Sequence, residues 1–452
     1  FGFGYFVSNL YWISISLTFD QNFKYLIPIT VLIIPAFLSL FYGLITYLFL
    51  ILKPKKIVSS VLFFSLIFGS VEFIRGSILT GFPWNLIAYS FSNQLEVLSI
   101  TSIIGTYGFN LFCITLFTSP VILILKDNKK DLSFLIFILI TTLTFYFYGD
   151  NYHKKFYETK KEDNNFKIRA IGSNISLDRF YFNVDPVLVI QDLIKISNPQ
   201  LNEKIIFVWP EGILPDIFQN ELKEYKWLFE KDFDENHKFI LGINSKFVGE
   251  GSQVFFNSFS VYDNELNLID SYNKINLVPF GEFLPFESIL KNFGLRSITN
   301  NYQSFSSGDQ RNIIEIKNQK IELRILPLIC YEIIYSGKLF DNTKFDLIIN
   351  ISEDGWFGKS IGPKQHFVHS IFRAIESGKY IIRSSNNGIS GILNPLGIVE
   401  EKVNFGETGY VDFTESRKIQ PTTFSKYGNK IFGMLILLYI FLIFSFNRIK
   451  NE

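Results

Sequence analysis

The chain has 452 residues, 48% of them hydrophobic, and a mean hydropathy of +0.22, which excludes a typical soluble single-domain protein and points to a membrane protein. Lys and Arg number 43 against 42 Asp and Glu, so the basic excess that condenses on phosphates is missing and nucleic acid is not an expected partner. Two cysteines are too few for a disulfide framework, and Cys113 lies inside an apolar run.

A helix crossing a bilayer needs about 20 apolar residues. Tyr25 to Leu52, Ile57 to Leu79, Leu95 to Leu125, Leu132 to Tyr148 and Ile431 to Phe446 supply them. Phe1 to Phe19 is a sixth candidate, weakened by Ser, Asn and two aromatics near its middle. Buried helices of a large soluble core fit poorly, because such cores rarely offer this many stretches almost free of charge. "KPKK" (Lys53 to Lys56), "KDNKK" (Lys126 to Lys130) and "RIK" (Arg448 to Lys450) put those ends in the cytoplasm. Alternation then places the long stretch from Gly149 to Lys430 outside. "HKK" and "KK" between His153 and Lys161 object, but they are interleaved with acids and precede a large domain, where charge biases translocation poorly. No signal peptide is recognisable and residue 1 is phenylalanine, so the chain is expected to lack its true N-terminus. The expected division is a membrane helical domain at 1–149, an outer domain at 150–430, and a last span with its cytoplasmic tail at 431–452.

From about Asn164 to Gln420 short β-rich runs alternate with amphipathic pieces, the pattern of a sandwich of sheets and helices. "FKIRAIGSNI", "KIIFVWPE", "KFILGINS", "VFFNSFSVYD", "IELRILPLICYE" and "FDLIINISE" read as strands. "VDPVLVIQDLIKIS" and "PKQHFVHSIFRAIESG" have helical spacing. Several strands are apolar throughout, as strands covered on both faces must be. Polar residues stand at three strand ends: Glu211 in "IIFVWPEG", Lys274 and then Glu282 in "YNKINLVPFGEFLPF", and Cys330 in "ILPLICYE". Strand ends are where a rigid scaffold holds reactive groups at the rim of a sheet. A glutamate can take the proton of a thiol, and a lysine can stabilise both the thiolate and the oxyanion formed when it attacks a carbonyl. The blander alternatives stay open at this point. A lone cysteine after an apolar strand is usually a small hydrophobe, Glu211 could cap a following helix, and Lys274 could be a solvated turn residue.

At these residues the chain resembles the nitrilase, or carbon-nitrogen hydrolase, superfamily, and most closely its membrane branch, the apolipoprotein N-acyltransferases. "VWPEG" is similar to the glutamate motif, "YNKINLVPFGEFLP" to the lysine motif and "ICYEIIY" to the cysteine motif. "FNS" (Phe256 to Ser258), "WFG" with "GPKQH" (Trp356 to His366), "RAIESG" and "RSSNNGISG" also match. "EFIRGSILTGFPWN" (Glu72 to Asn85) resembles a signature of the membrane branch. The resemblance implies an αββα sandwich on a multi-span helical membrane domain of eight spans, two of them missing here. It implies Glu211 as general base, Lys274 as oxyanion-stabilising cation and Cys330 as nucleophile. Glu282 would orient Lys274 or support proton transfer, and Tyr331 and Glu332 would line the site beside the thiol. The implied reaction takes a fatty acyl chain from a phospholipid onto Cys330 and passes it to the free amine of the diacylglyceryl-cysteine of an apolipoprotein, with ping-pong kinetics. The implied place is the inner membrane, with the sandwich on the periplasmic side and its cleft facing the bilayer. A membrane-tethered amidase and a non-catalytic transporter or scaffold are the competing readings.

Three departures bear on the site. "EDG" (Glu353 to Gly355) replaces the usual Asn-Asp-Ala, Asn276 replaces a His or Arg after the motif lysine, and "SLDRFYF" lacks a tryptophan for which Tyr181 or a neighbouring Phe would serve. Trp84, Tyr181 and Trp356 are the candidate substrate-binding residues, although Trp84 could equally be an interfacial anchor. Glu72 and Arg75, three apart, share a helix face and are either a structural pair or a functional one. His366 and His369 lack a third ligand at sensible spacing, so neither a metal nor a cofactor is expected and His366 is expected to be structural or to support the residues of the site from behind. "NNGISG" is too short and misplaced for a dinucleotide site.

Overall fold

A computed structural model describes residues 1–126, 129, 131–249, 252–290, 304–317, 322–339 and 344–448. Its helices are α1 (Gly2–Leu10), α2 (Ile27–Leu52), α3 (Ile57–Arg75), α4 (Leu95–Leu98), α5 (Thr101–Thr118), α6 (Ile122–Leu125), α7 (Asp131–Glu158), α8 (Pro186–Ser197), α9 (Glu287–Leu290), α10 (Gly362–Ser377), α11 (Thr423–Tyr427) and α12 (Lys430–Arg448). Among the described residues five helical segments are long and apolar enough to cross a membrane: Gln21–Leu52, Ile57–Arg75, Thr101–Leu125, Asp131–Glu158 and Lys430–Arg448.

The expected sixth span at Phe1 to Phe19 is not a spanning helix. α1 has nine residues, a rise of about 14 Å against a hydrocarbon core of about 30 Å, and the chain then tightens into 3-10 turns over Tyr11–Thr18. Its large apolar side chains are buried sideways, Phe6 on Tyr42 of α2 and Trp12 on Trp84. The run Leu95 to Leu125, expected as one span, is broken into α4, α5 and α6, with a further kink at Gly105, whose φ of 69° lies in the left-handed region. A Cβ there would fall 2.0 Å from the Phe424 ring. α3 ends at Arg75, four residues before the expected Leu79, because the Arg75 guanidinium donates to the carbonyls of Phe82 and Trp84, at 2.5 and 3.1 Å, and folds the chain back. α7 runs ten residues past the expected Tyr148, as its polar extension keeps helical spacing and pairs Lys154 with Asp150. Part of the Lys126 to Lys130 loop, part of the tail, and Ile321 lie outside the described residues.

The strands are β1 (Lys161–Ser173), β2 (Ile205–Val208), β3 (His237–Gly249), β4 (Ser252–Asp263), β5 (Leu268–Asn273), β6 (Ile314–Lys317), β7 (Glu322–Ile329), β8 (Leu347–Glu353), β9 (Ile381–Asn386), β10 (Ser390–Leu393), β11 (Val399–Val403) and β12 (Gly409–Arg417). They hydrogen-bond in the order β5-β4-β3-β2-β1-β9-β8-β7-β6, with β10 and β11 beside β9 and β12 beside β1. Among the described residues, strand pairing joins the two halves only where Gly172 and Ser173 of β1 meet Ser385 and Asn386 of β9, so they face each other as two layers. Side chains alternate accordingly. Ile206, Val208 and Ile240 share an interior core with Leu328, Ile349 and Ile382, whereas Phe207, Trp209, Phe239 and Leu241 pack outward with Ile190 and Leu193 of α8. α10 contacts β9 and β10 on the other outer face. The result is the expected αββα order. β1, β2, β3, β7, β8 and β9 run parallel where they pair with one another, so the C-terminal ends of β2, β7 and β8 share one rim.

The sheet domain is fastened to the membrane helices by buried polar groups. Glu376 of α10 accepts from the backbone N–H of Thr106 (2.7 Å) and from the hydroxyls of Thr106 and Ser336 (2.6 Å each). It therefore caps the membrane helix that restarts after the Gly105 kink, satisfying an amide with no intrahelical partner. Arg373, 2.9 Å from Glu376, also donates to the Ile334 carbonyl. Replacing Glu376 by alanine strands a buried guanidinium and an uncapped amide, so Glu376→Ala should lower stability by about 3–5 kcal/mol. Glu376→Gln, which keeps an acceptor, should cost less; thermal unfolding of the helical signal in detergent measures both.

Candidate active site

The site is assembled from three strand ends on the shared rim. After β2, Trp209 and Pro210 carry the chain to Glu211, whose backbone lies so close to β3 that a Cβ on Gly242 would fall 2.4 Å from the Glu211 Cα. Only glycine permits that approach. Lys274 continues the β4–β5 ladder, its N–H donating to the Asn257 carbonyl at 2.9 Å. Its ammonium then donates to Oε1 of both Glu211 (3.1 Å) and Glu282 (2.9 Å). The Asn257 side-chain amide donates to the same two oxygens, at 2.7 Å each. Glu211, Lys274 and Glu282 are all buried. Burial works against the ammonium, but the two carboxylates outweigh it and hold Lys274 above the ordinary lysine pKa. Burial pushes Glu282 up, with Lys274 opposing and Glu211 adding to the rise.

Cys330 follows β7 with a φ of 47°, left-handed backbone that non-glycine residues adopt only where their surroundings force it. The forcing groups are identifiable. The Ile329 N–H before it donates to Glu332 Oε2 at 2.9 Å, and His366 Nε2 lies 3.3 Å from the Cys330 carbonyl. On the other side the Tyr331 hydroxyl donates to the Gly81 carbonyl (2.8 Å) and that of Tyr335 to Thr80 (2.7 Å), so the turn rests on the loop that follows α3. The thiol is buried, which pushes its pKa well up. The Glu211 charge pushes it further, while Lys274 and a hydrogen bond with Ser352 pull it down. The resting sulfur is thus a thiol, held so first by burial, with the groups at the neighbouring strand ends acting on it in opposite directions.

Glu332, expected to line the site beside the thiol, is instead a strut. Its oxygens accept from the Tyr272 hydroxyl (2.6 Å), Arg311 (2.8 Å) and the amides of Ile275 and Asn276 (3.1 and 3.2 Å), besides Ile329. It therefore ties the strand end bearing Lys274 to the one bearing Cys330. Arg311 and these hydrogen bonds overcome burial and hold its carboxyl below the usual glutamate value. Tyr331 is likewise occupied as an anchor.

The "EDG" departure has its own hydrogen bonding. Glu353 pairs with Arg179, accepts from Asn386 (2.8 Å), and its backbone N–H donates to Glu211 Oε2 at 2.9 Å. Asp354 pairs with Arg383 (2.8 Å) and lies 2.9 Å from His366 Nδ1. Arg383 and His366 overcome burial and keep the Asp354 carboxyl well below its ordinary range. The expectation that His366 lacks further ligands needs correcting. Possible ligand atoms of Cys330, Asp354 and His366 lie within 4.8 Å of one another, whereas His369 packs tilted against Trp84 and edge to face with Tyr89. Arg383 already neutralises Asp354, and a guanidinium in the same cluster opposes a cation.

Of the candidate substrate-binding residues, Tyr181 and Trp356 meet edge to face at 6.3 Å, with Phe180 and Phe19 on the same indole. A Cβ on Gly212 would lie 3.2 Å from Phe180, so this partly buried aromatic group borders Glu211. Trp84 is neither anchor nor exposed lip. It is 2% exposed, and its indole N–H donates to Gln365 at 2.9 Å, as does that of Trp12. Glu72 and Arg75 approach to 3.6 Å and are buried, and Arg75 shapes the same loop. Sequence reasoning missed Asn257, Arg179, Arg311 and Arg383. Asn257, Arg179 and Arg383 stood within the noted "FNS", "SLDRFYF" and "RSSNNGISG" stretches, where nothing marked their partners; Arg311 gave no signal, because its partner Glu332 belongs to a separate motif.

The family model for the apolipoprotein N-acyltransferase N-terminal domain matches residues 1–118, and that for carbon-nitrogen hydrolase matches residues 226–417. The apolipoprotein N-acyltransferase of Rickettsia prowazekii is 32% identical, over 98% of this chain and 87% of its own length. That of Rhizobium leguminosarum bv. trifolii is 30% identical, over 92% and 79%. Among solved structures, an amidase of the nitrilase superfamily from Nesterenkonia AN1 aligns with a TM-score of 0.39 at 12% identity, covering 60% of this chain and 98% of that one.

Because the thiol pKa is raised, alkylation of Cys330 by iodoacetamide should be slow at neutral pH and accelerate with a midpoint above the ordinary value of about 8.5. Glu211→Gln removes the negative charge that disfavours the thiolate and should move that midpoint down. Peptide mass spectrometry across a pH series reads both, and an unchanged midpoint in the glutamine variant would separate Glu211 from the sulfur.

Proposed function

The chain belongs to the apolipoprotein N-acyltransferase family, and from that premise we propose that it moves a fatty acyl chain from a glycerophospholipid to the free α-amine of a diacylglyceryl-cysteine, through a thioester on Cys330. The observation that carries this reading is the buried cluster of Glu211, Lys274 and Glu282, in which Glu211 and Lys274 act on the thiol of Cys330. A thiol held protonated by burial needs a base at the moment of attack. Glu211 meets that need, since three of its roughly four lone-pair directions are taken by Lys274, Asn257 and the Glu353 amide.

The Cys330 sulfur attacks the ester carbonyl of the donor as its proton passes to Glu211. Lys274 stabilises the oxyanion, which collapses to the thioester while the lysophospholipid alkoxide leaves with the proton from Glu211. In the second half the acceptor amine attacks the thioester, losing a proton to Glu211. The sulfur departs as thiolate and takes that proton back, leaving an amide and the free thiol. Glu282 shares the Lys274 ammonium and holds it in place while Glu211 changes charge.

The protein is a membrane protein, and the proposed setting is the inner membrane with the sheet domain on the periplasmic side. Lys53, Lys55 and Lys56 between α2 and α3 support that orientation. So does the packing of the sheet domain against the opposite ends of α3 and α12, through Tyr335 on Thr80 and Asn429 on Ser336. In detergent micelles, phospholipid carrying a labelled acyl chain should leave hydroxylamine-sensitive label on wild type and none on Cys330→Ala; label surviving in the alanine variant removes Cys330 as nucleophile. A diacylated lipopeptide should then discharge the label into a triacylated product, whereas release of free fatty acid alone would make the protein a hydrolase.

A further inference from the structure

Where the two domains meet, a cleft of about 470 Å³ opens between the loop after α3 and the segment that follows Lys274. Its wall is of mixed chemistry. Leu277, Phe283 and Phe305, which pack in one apolar cluster, line it with Leu79, and so do the polar Ser77, Asn276 and Lys338 and the hydroxyl-bearing ring of Tyr335. Ile275, next to Lys274, lines the cleft, so it lies one residue from the candidate catalytic cation. The Asn276 carbonyl oxygen Oδ1 accepts from Arg311 at 3.2 Å, which leaves its N–H donors for the cleft. Lys338 has no carboxylate within ion-pair distance among the described residues; its ammonium lies 5.6 Å from the Tyr335 ring. Burial draws its pKa below the ordinary lysine value, the condition in which a cation gains most from a bound anion.

The level of this group relative to the bilayer is fixed by its anchors. The turn that presents Lys338 contains Gly337, φ 69°, where a Cβ would fall 2.6 Å from the Asn429 side chain. Asn429 also donates to the Ser336 carbonyl at 2.8 Å and immediately precedes α12. Ser77 and Thr80 follow the end of α3. Lys338 therefore stands where two membrane helices emerge, the depth of lipid headgroups.

We propose that this cleft holds the phosphodiester of the donor glycerophospholipid, with Lys338 and Asn276 as its ligands and the apolar wall beside its glycerol and first acyl carbons. The assignment rests on the thioester reading above and adds to it where the headgroup sits. A phosphodiester satisfies both the ammonium and the amide donors, and an amphiphile suits a wall that combines apolar and polar residues.

The test compares Lys338→Gln and Lys338→Arg with wild type in neutral detergent, scoring the acyl-thioester on Cys330. Zwitterionic phosphatidylethanolamine and uncharged p-nitrophenyl palmitate serve as donors. Lys338→Gln should need about tenfold more phosphatidylethanolamine for half-maximal acylation, the worth of one charge-assisted hydrogen bond. It should react with the uncharged ester as wild type does, and Lys338→Arg should restore the phospholipid response. An equal loss with both donors, or no change with either, overturns the assignment. Competition by millimolar inorganic phosphate would reassign the cleft to a free anion and overturn it as well. Wild type that takes label from p-nitrophenyl palmitate but never from phospholipid refutes the headgroup site while sparing the nucleophile, and wild type unlabelled by both refutes the thioester reading.

Discussion

One buried ammonium shared between two carboxylates governs this molecule. Lys274, Glu211 and Glu282 are buried together, an arrangement that is costly unless nearly every lone pair is occupied. Asn257 and the Glu353 and Val278 amides occupy them. Each donor comes from a different strand end or loop, so the parallel sheet, the close approach at Gly242 and the strut at Glu332 all act to bring them to one place. The same cluster bears on the state of the sulfur. Because it is buried, with the Glu211 charge adding to the effect, Cys330 rests as a thiol, and its reactivity appears only when a proton can move to Glu211.

Much of this was legible in the sequence wherever local signals sufficed. The apolar runs gave five of the spans, and the abrupt polar residues after β2, β5 and β7 gave Glu211, Lys274 and Cys330, which the fold brings to one rim. What could not be read depends on partners distant along the chain. Arg179 looks like a surface residue until Glu353 is placed against it, and Arg383 looks like any strand arginine until Asp354 arrives. Trp84 carried the composition of an interfacial anchor, but the Arg75 guanidinium pulls its loop inward and buries the indole. Phe1 to Phe19 had enough apolar residues to suggest a span, yet hydropathy does not reveal that a helix stops after nine residues and turns sideways.

The two parts of the chain are not simply tethered. Glu376 caps a membrane helix, Tyr331 and Tyr335 rest the cysteine turn on the loop after α3, and Asn429 joins the start of α12 to the turn at Gly337. Polar contacts of this kind are directional, so they fix distance and rotation where apolar packing alone would allow sliding. The position of the sulfur relative to the lipid is therefore set by the membrane helices as much as by the sheet.

The left-handed backbone at Cys330 has a consequence for how such a chain can change. Of the common residues, glycine alone is at ease in that conformation, and holding any other side chain there costs of order 1–3 kcal/mol. The residue that would best relax this turn is thus one with no sulfur, and durability and chemistry pull in opposite directions at a single Cα. Improvements to the scaffold that leave the enzyme working have to be sought away from this turn.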